Sequence, residues 1–240
     1  MDKKPDIVLT FTGGIDSSVL AGYYLEKGLI VRGVYFDYGQ KIIRMEKKAM
    51  RHIGKFLKNK YKKKFSYEII KLNRLKKYGF KYKSGTIRGV KKREINLSRE
   101  ELTSSYLWTP ARNLYFLAEI LAYAEVVKAK KIAFSILYFP PNNSSAENWT
   151  FPDETTQWCL AAKEITKFSN MNGIKFETLF IDLKKEKEDV IKIGSKLEIP
   201  LEKTYNCLLG KYPQCGICPH CARRKLIFKK LNLNDTKYEK

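Results

Sequence analysis

An α/β fold with a doubly wound, mostly parallel sheet is what this sequence predicts, on three observations. Short β-branched and aromatic runs alternate with helical patterns from the first residues onward, as in successive βαβ units. The first of these runs passes through two adjacent glycines into a helix, the βα turn of an anion-binding sheet. The chain has 240 residues, 44% apolar and 30% charged, which is enough for one large domain and too hydrophobic in pattern for disorder.

The elements follow in order. Residues 7–11 read as the first strand and 17–27 as the first helix, with Gly28 placed beyond its C-cap. Residues 30–36 form the second strand, through Val31, Val34 and Phe36, and about 44–58 the second helix. Residues 68–72 make a third strand. A second set comprises a helix over 112–127, a strand at 131–136, a helix near 154–171 and a strand at 176–181. Between the two sets, 74–99 is rich in Lys and Arg with Glu94 as its one acid, and Gly79, Gly85 and Gly89 break its periodicity. It reads as an insertion or lid. Residues 138–149, with Pro140, Pro141, Asn142, Asn143, Ser144 and Ser145, form a second long loop. A domain at 1–200 and a C-terminal segment at 201–240 are the expected division.

Lys and Arg number 47 against 25 acids, a formal charge of +22 that attracts polyanions. No run of about 18 uncharged apolar residues is present, which argues against a membrane span. The N-terminus runs into a strand without an apolar signal region, so the cytoplasm is the expected location. Five cysteines are too few for a disulfide scaffold.

Thr12-Gly13-Gly14-Ile15-Asp16-Ser17-Ser18 joins the first strand to the first helix. Glycines permit positive φ and close backbone approach, while the unpaired N–H groups of the helix start face an anion. Hydroxyls of Thr12, Ser17 and Ser18 add donors. Asp16 can cap the helix or hold Mg²⁺ against phosphates. The segment is neither a Walker A loop nor a dinucleotide G-x-G-x-x-G, and a plain βα turn capped by Asp16 stands as the alternative. The loop resembles the pyrophosphate loop of the ATP pyrophosphatases, with Thr12 where Ser is more usual. That resemblance implies ATP cleavage between the α and β phosphates and transfer of AMP to a substrate oxygen, with Gly13, Gly14, Asp16 and Ser17 on the leaving pyrophosphate.

Phe36-Asp37-Tyr38-Gly39-Gln40, with Glu46 in the helix beyond, ends the second strand where open α/β sheets bind ligands. Pro110-Ala111-Arg112-Asn113 opens the third main helix. From there the Arg112 guanidinium can reach a phosphate while Asn113 faces the pocket. Cys207-x₇-Cys215-x₂-Cys218-x₂-Cys221 supplies four thiols, the set that a closed zinc site takes, with Gly216 permitting the knuckle. An iron–sulfur cluster is the alternative metal centre. His220 lies between ligands, Cys159 reads as a packed core residue, and His52 as solvent-facing.

Together these blocks resemble the 7-cyano-7-deazaguanine synthase family, in the family's order and over most of the chain. The resemblance implies a Rossmann-like sheet of the adenine nucleotide α-hydrolase type. It implies conversion of 7-carboxy-7-deazaguanine and ammonia to the nitrile with ATP, Mg²⁺ and Zn²⁺, in queuosine and archaeosine biosynthesis, by a homodimer. It places Asp16, Ser17 and Arg112 in catalysis, and Thr12, Gly13, Gly14, Ser18, Asp37, Tyr38, Gln40 and Asn113 on ATP. Phe151-Pro152-Asp153 falls where the family carries Tyr-Pro-Asp, so Asp153 is the expected reader of the base edge, with a simple N-cap as its alternative. Residues 135–149 depart from the family pattern, which leaves open a different acceptor, including a tRNA base. The charge, the basic insertion and interleaved Tyr78, Phe80 and Tyr82 fit such an RNA contact. A zinc-bearing RNA-binding module without catalysis is the remaining alternative.

Overall fold

The structure is a computed structural model describing residues 4–40, 42–73, 77, 108–139 and 151–239. All but Lys77 of the basic insertion at 74–99, with Tyr78, Phe80 and Tyr82, lie outside the described residues, as does the 140–149 portion of the second loop.

Five strands form one parallel sheet: β1 (Ile7–Thr10), β2 (Val31–Asp37), β3 (Phe65–Lys71), β4 (Lys131–Ala133) and β5 (Lys175–Glu177), in the order β3-β2-β1-β4-β5. Ile7 pairs with Val31 on one side and Lys131 on the other. The helices are α1 (Ile15–Glu26), α2 (Ile43–Tyr61), α3 (Arg112–Val126), α4 (Thr156–Phe168), α5 (Leu179–Asp182), α6 (Lys187–Lys196) and α7 (Pro219–Lys230). Strand order reverses across β1, so the sheet is wound in both directions and opens a crevice beyond the carboxyl ends of β1 and β4.

Alternation along each strand feeds two cores. Ile7, Leu9 and Phe11 face α1, α2, α6 and Phe228 of α7, whereas Val8, Val34 and Phe36 face α3 and α4 through Leu117, Ile120 and Cys159. Burying these side chains on both faces is what makes the strands read as continuous apolar runs. The segment after 200 contributes Leu201 and Phe228 to the first core, while its cysteines pack with Ala49 of α2 in a third cluster.

Several boundaries differ from the sequence expectation. β3 begins at Phe65, because Phe65 pairs with Val31 and is buried, although a single turn of three lysines precedes it. The run at 176–181 is not one strand: pairing ends at Glu177, and a helical turn sends Phe180 into one core and Ile181 into the other. Pairing in β4 ends at Ala133, although Phe134 and Ile136 stay buried. α4 starts at Thr156 behind a single turn at Pro152–Glu154, with Thr155 Oγ1 accepting from the Trp158 amide at 3.1 Å. Gly28, at φ 84°, follows the C-cap of α1 as expected. Among the described residues no helix is long and apolar enough to cross a membrane.

Candidate active site

A cavity of about 660 Å³ opens at the carboxyl ends of β1, β2 and β4. Its floor is the β1–α1 loop. Gly13 takes φ 75°, and a Cβ there would lie 2.3 Å from the backbone N of Met50, so only glycine lets the loop sit against α2. Thr12 and Ser17 fix the loop from within: the Thr12 amide donates to Ser17 Oγ at 3.2 Å, the two hydroxyls pair at 3.1 Å, and the Gly14 amide donates to Thr12 Oγ1 at 3.2 Å. The N-cap of α1 is Gly14, which has no side chain to cap it, and among the described residues this leaves first-turn amides for an anion.

Asp16 is therefore not the N-cap. Its carboxylate takes both oxygens to Lys187 Nζ, each at 2.8 Å, joining the loop to the first turn of α6. Thr12, Gly14 and Asp16 line the cavity. Ser17 and Ser18 do not, since both are buried and Ser18 Oγ donates to the Gly14 carbonyl at 2.6 Å. They shape the loop.

The opposite wall comes from α2, α3 and the turn before α4. Arg112 donates to Glu154 at 2.6 Å, and its guanidinium stands 5.8 Å from the Phe151 ring centre. Asn113 lines the cavity and is tied to the Asp153 carbonyl at 2.8 Å. Tyr38 and Gln40 also line it. Gln40 Oε1 accepts from the Tyr38 amide at 3.0 Å, while its Nε2 donates to Tyr35 Oη at 2.8 Å and to Glu46 at 3.1 Å. Tyr35 Oη in turn donates to Glu46 at 2.8 Å. Burial raises the Glu46 carboxyl above its ordinary value, against the hydrogen bonds from Tyr35 and Gln40 and the charge of Arg112.

Two expected contacts lie elsewhere. Asp37 pairs with Lys47 at 2.8 Å and faces away from the cavity lining, because β2 turns it toward α2. Asp153 does not line the cavity either. It is buried, and its Oδ2 accepts from the Asn113 amide at 3.1 Å, so it caps the start of α3 rather than its own turn. Its Oδ1 is buried without a donor among the described residues.

Lys187, Glu154, Tyr205, Asn206 and Arg223 also line the cavity. Lys187 sits in a lysine-rich run and was not distinguishable by type. The one available signal was the capping box of Glu186 and Asp189, which fixes the start of α6 and puts Lys187 on its first turn.

Cys207, Cys215, Cys218 and Cys221 place their sulfurs within 4.8 Å of one another, all buried. A tetrahedral ion with bonds of about 2.3 Å requires S···S of roughly 3.8 Å, so the four thiols fit a closed metal site. Backbone amides of Cys215, Ile217 and Cys218 point at cluster sulfurs from 3.3–3.5 Å, and Gly216 makes the knuckle at φ 72°. His220 stands outside the set and lines the cavity. Arg224 is fully buried and holds the segment by donating to the carbonyls of Leu201 (2.7 Å) and Thr204 (3.2 Å) and to Asp235 (2.6 Å). Cys159 is buried in the second core, and burial pushes its thiol up to about 12. His52 is exposed.

A parallel sheet wound in both directions, whose first strand ends in a glycine loop beneath a cavity lined by Arg and Lys, defines a doubly wound, Rossmann-like α/β protein. Within that class the chain belongs to the QueC family: the model described as "Queuosine biosynthesis protein QueC" matches residues 6–232. It is 30% identical over 242 residues to the 7-cyano-7-deazaguanine synthase of Methanosphaera stadtmanae, covering 99% of this chain and 100% of that protein. The enzyme of the same name from Methanobrevibacter smithii is 31% identical over 244 residues, covering 98% and 97%. That from Thermoplasma volcanium is 30% identical over 244 residues, covering 100% and 92%.

Proposed function

We propose that the protein is a 7-cyano-7-deazaguanine synthase that activates 7-carboxy-7-deazaguanine with ATP and converts it, with ammonia, to the nitrile. The observation that carries this reading is the cavity itself, where an uncapped helix start and a Gly13-backed loop face Arg112 across one space. A carboxylate is a poor acylating group. Transfer of AMP to its oxygen supplies a leaving group, ammonia displaces it to give the amide, and a second adenylation of the amide oxygen lets AMP depart as C≡N forms.

The side chains have matching tasks. Amides of the Gly14–Asp16 turn and the Lys187 ammonium hold the pyrophosphate as charge builds on it. Arg112, oriented by Glu154, meets the α-phosphate. Phe36, Phe116 and Phe151 supply apolar faces for the two ring systems. Asp16 is the carboxylate at the loop that would hold Mg²⁺, which neutralises phosphate charge when bound. The four thiols would hold Zn²⁺ as a structural ion, bracing the segment that carries Tyr205, Asn206 and His220 to the cavity.

Incubation of the full chain with 7-carboxy-7-deazaguanine, ammonium and Mg-ATP should yield the nitrile by mass spectrometry, with AMP and pyrophosphate released. Absence of that product, with AMP release appearing only on addition of tRNA, would move the acceptor to a tRNA base.

A further inference from the structure

Three carboxylates line the cavity among the described residues: Asp16, Glu46 and Glu154. Two are committed to cations, Asp16 to Lys187 at 2.8 Å and Glu154 to Arg112 at 2.6 Å. Glu46 is held differently. Its Oε2 accepts from the neutral donors Tyr35 Oη (2.8 Å) and Gln40 Nε2 (3.1 Å), and both of those residues are buried. Gln40 is itself fixed by the Phe36 carbonyl at 3.1 Å. The carboxyl is thus aimed by two packed side chains while lining the reaction space, the arrangement of a positioned proton acceptor.

Resting on the proposed reaction, we infer that Glu46 is the base that delivers ammonia: it takes a proton from ammonium in the cavity and frees the nitrogen lone pair for attack. Near neutral pH the nucleophile is almost wholly ammonium, which has no lone pair to donate. Transfer of one proton to the Glu46 carboxylate gives NH₃. The nitrogen lone pair then forms the C–N bond at the acyl carbon, the C–O bond to AMP breaks, and AMP leaves with that electron pair. The second proton that the nitrogen loses passes to solvent, and Glu46 releases its own proton before the next turnover.

The charged and titratable groups around Glu46 fit that task. From β2, Tyr35 donates to it, and from α3 the Arg112 charge favours its anionic form. On its own helix, Lys47 is occupied with Asp37. Burial opposes these influences and holds the carboxyl above the usual range, toward the pH at which a base must both accept and return a proton.

The test separates activation from ammonia transfer. Adenylation is followed by ATP–pyrophosphate exchange with 7-carboxy-7-deazaguanine in the absence of ammonium, and transfer by nitrile formation with ammonium. In E46Q the ratio of nitrile formation to exchange should fall on the order of a hundredfold. The loss should shrink at alkaline pH as free ammonia rises, and E46D should recover part of the rate. Hydroxylamine, already neutral near pH 7, should give hydroxamate at similar ratios in wild type and E46Q. An unchanged nitrile-to-exchange ratio in E46Q overturns the assignment, as does a hydroxylamine ratio that falls as far as the ammonium ratio. Folded E46Q and E46D that both lose exchange overturn it too, assigning Glu46 to substrate binding. Wild-type protein without exchange overturns the adenylation reading itself, and this inference with it.

Discussion

The cysteine cluster and the charged lining of the cavity are assembled in opposite ways. All four thiols come from one stretch of chain, with two x₂ spacings and a positive-φ glycine bringing them within 4.8 Å. The lining is gathered from four places: Glu46 from α2, Arg112 from α3, Glu154 from the turn before α4 and Lys187 from α6, the last meeting Asp16 across 171 residues of sequence. A locally built site is written in spacing. A site built by tertiary packing is written only in the core that brings its elements together.

The largest effect should come from the cluster. If the four thiols hold Zn²⁺ as proposed, chelating it should forfeit a binding energy of about 10–16 kcal/mol that is coupled to folding of the segment, and C215S should forfeit a large part of it. The expected outcome is one zinc per chain in the native protein and none in the variant, with AMP formation lost. Metal analysis and thermal denaturation check it. Full activity without metal would mean that the lining does not depend on the cluster.

Next come the lining's charges. R112A and D16A should each reduce AMP formation by about 10²–10³-fold with zinc content unchanged, the first because it removes a cation proposed to meet developing phosphate charge and the second because it removes the carboxylate that positions Lys187 and would hold Mg²⁺. Initial-rate assays with metal analysis decide this, and a variant with full activity removes that residue from the site.

G13A tests the loop that both regions adjoin. A Cβ placed 2.3 Å from the Met50 amide nitrogen, at φ 75°, requires the loop or α2 to move. Loss of roughly 1–3 kcal/mol of stability is expected, with weakened ATP binding, read by denaturant unfolding and nucleotide titration.

The smallest effect concerns the fifth cysteine. Its thiol is pushed up to about 12 by burial, so it remains protonated, and inert to iodoacetamide, until the pH approaches that value or the protein unfolds. Mass mapping at pH 8 should find Cys159 unmodified in the native state. Rapid alkylation there would contradict its burial in the α4 core.

The legibility of the sequence follows the same division. The alternation of strands and helices, the glycine loop and the thiol set were readable because each depends on local periodicity or spacing. Asp37 and Asp153 were not: both stand beside cavity residues in sequence, yet β2 turns the first toward Lys47 and the second spends one oxygen on the Asn113 amide at the start of α3. Lys187 and the partnership of Glu46 with Tyr35 were hidden for the converse reason, since residue type alone does not tell a solvated lysine or a helix-surface glutamate from one that packing turns inward. The strand at 176–181 failed because apolar content does not reveal that Phe180 and Ile181 serve opposite cores.

The central claim is that the crevice over the Gly13 loop takes up ATP. Calorimetric titration of folded, zinc-loaded protein with Mg-ATP tests it most directly, with R112A as the comparison. The account predicts saturable one-site binding in the wild type that weakens sharply in R112A. Folded wild-type protein that binds no ATP, or binds it equally well without the Arg112 guanidinium, would contradict it.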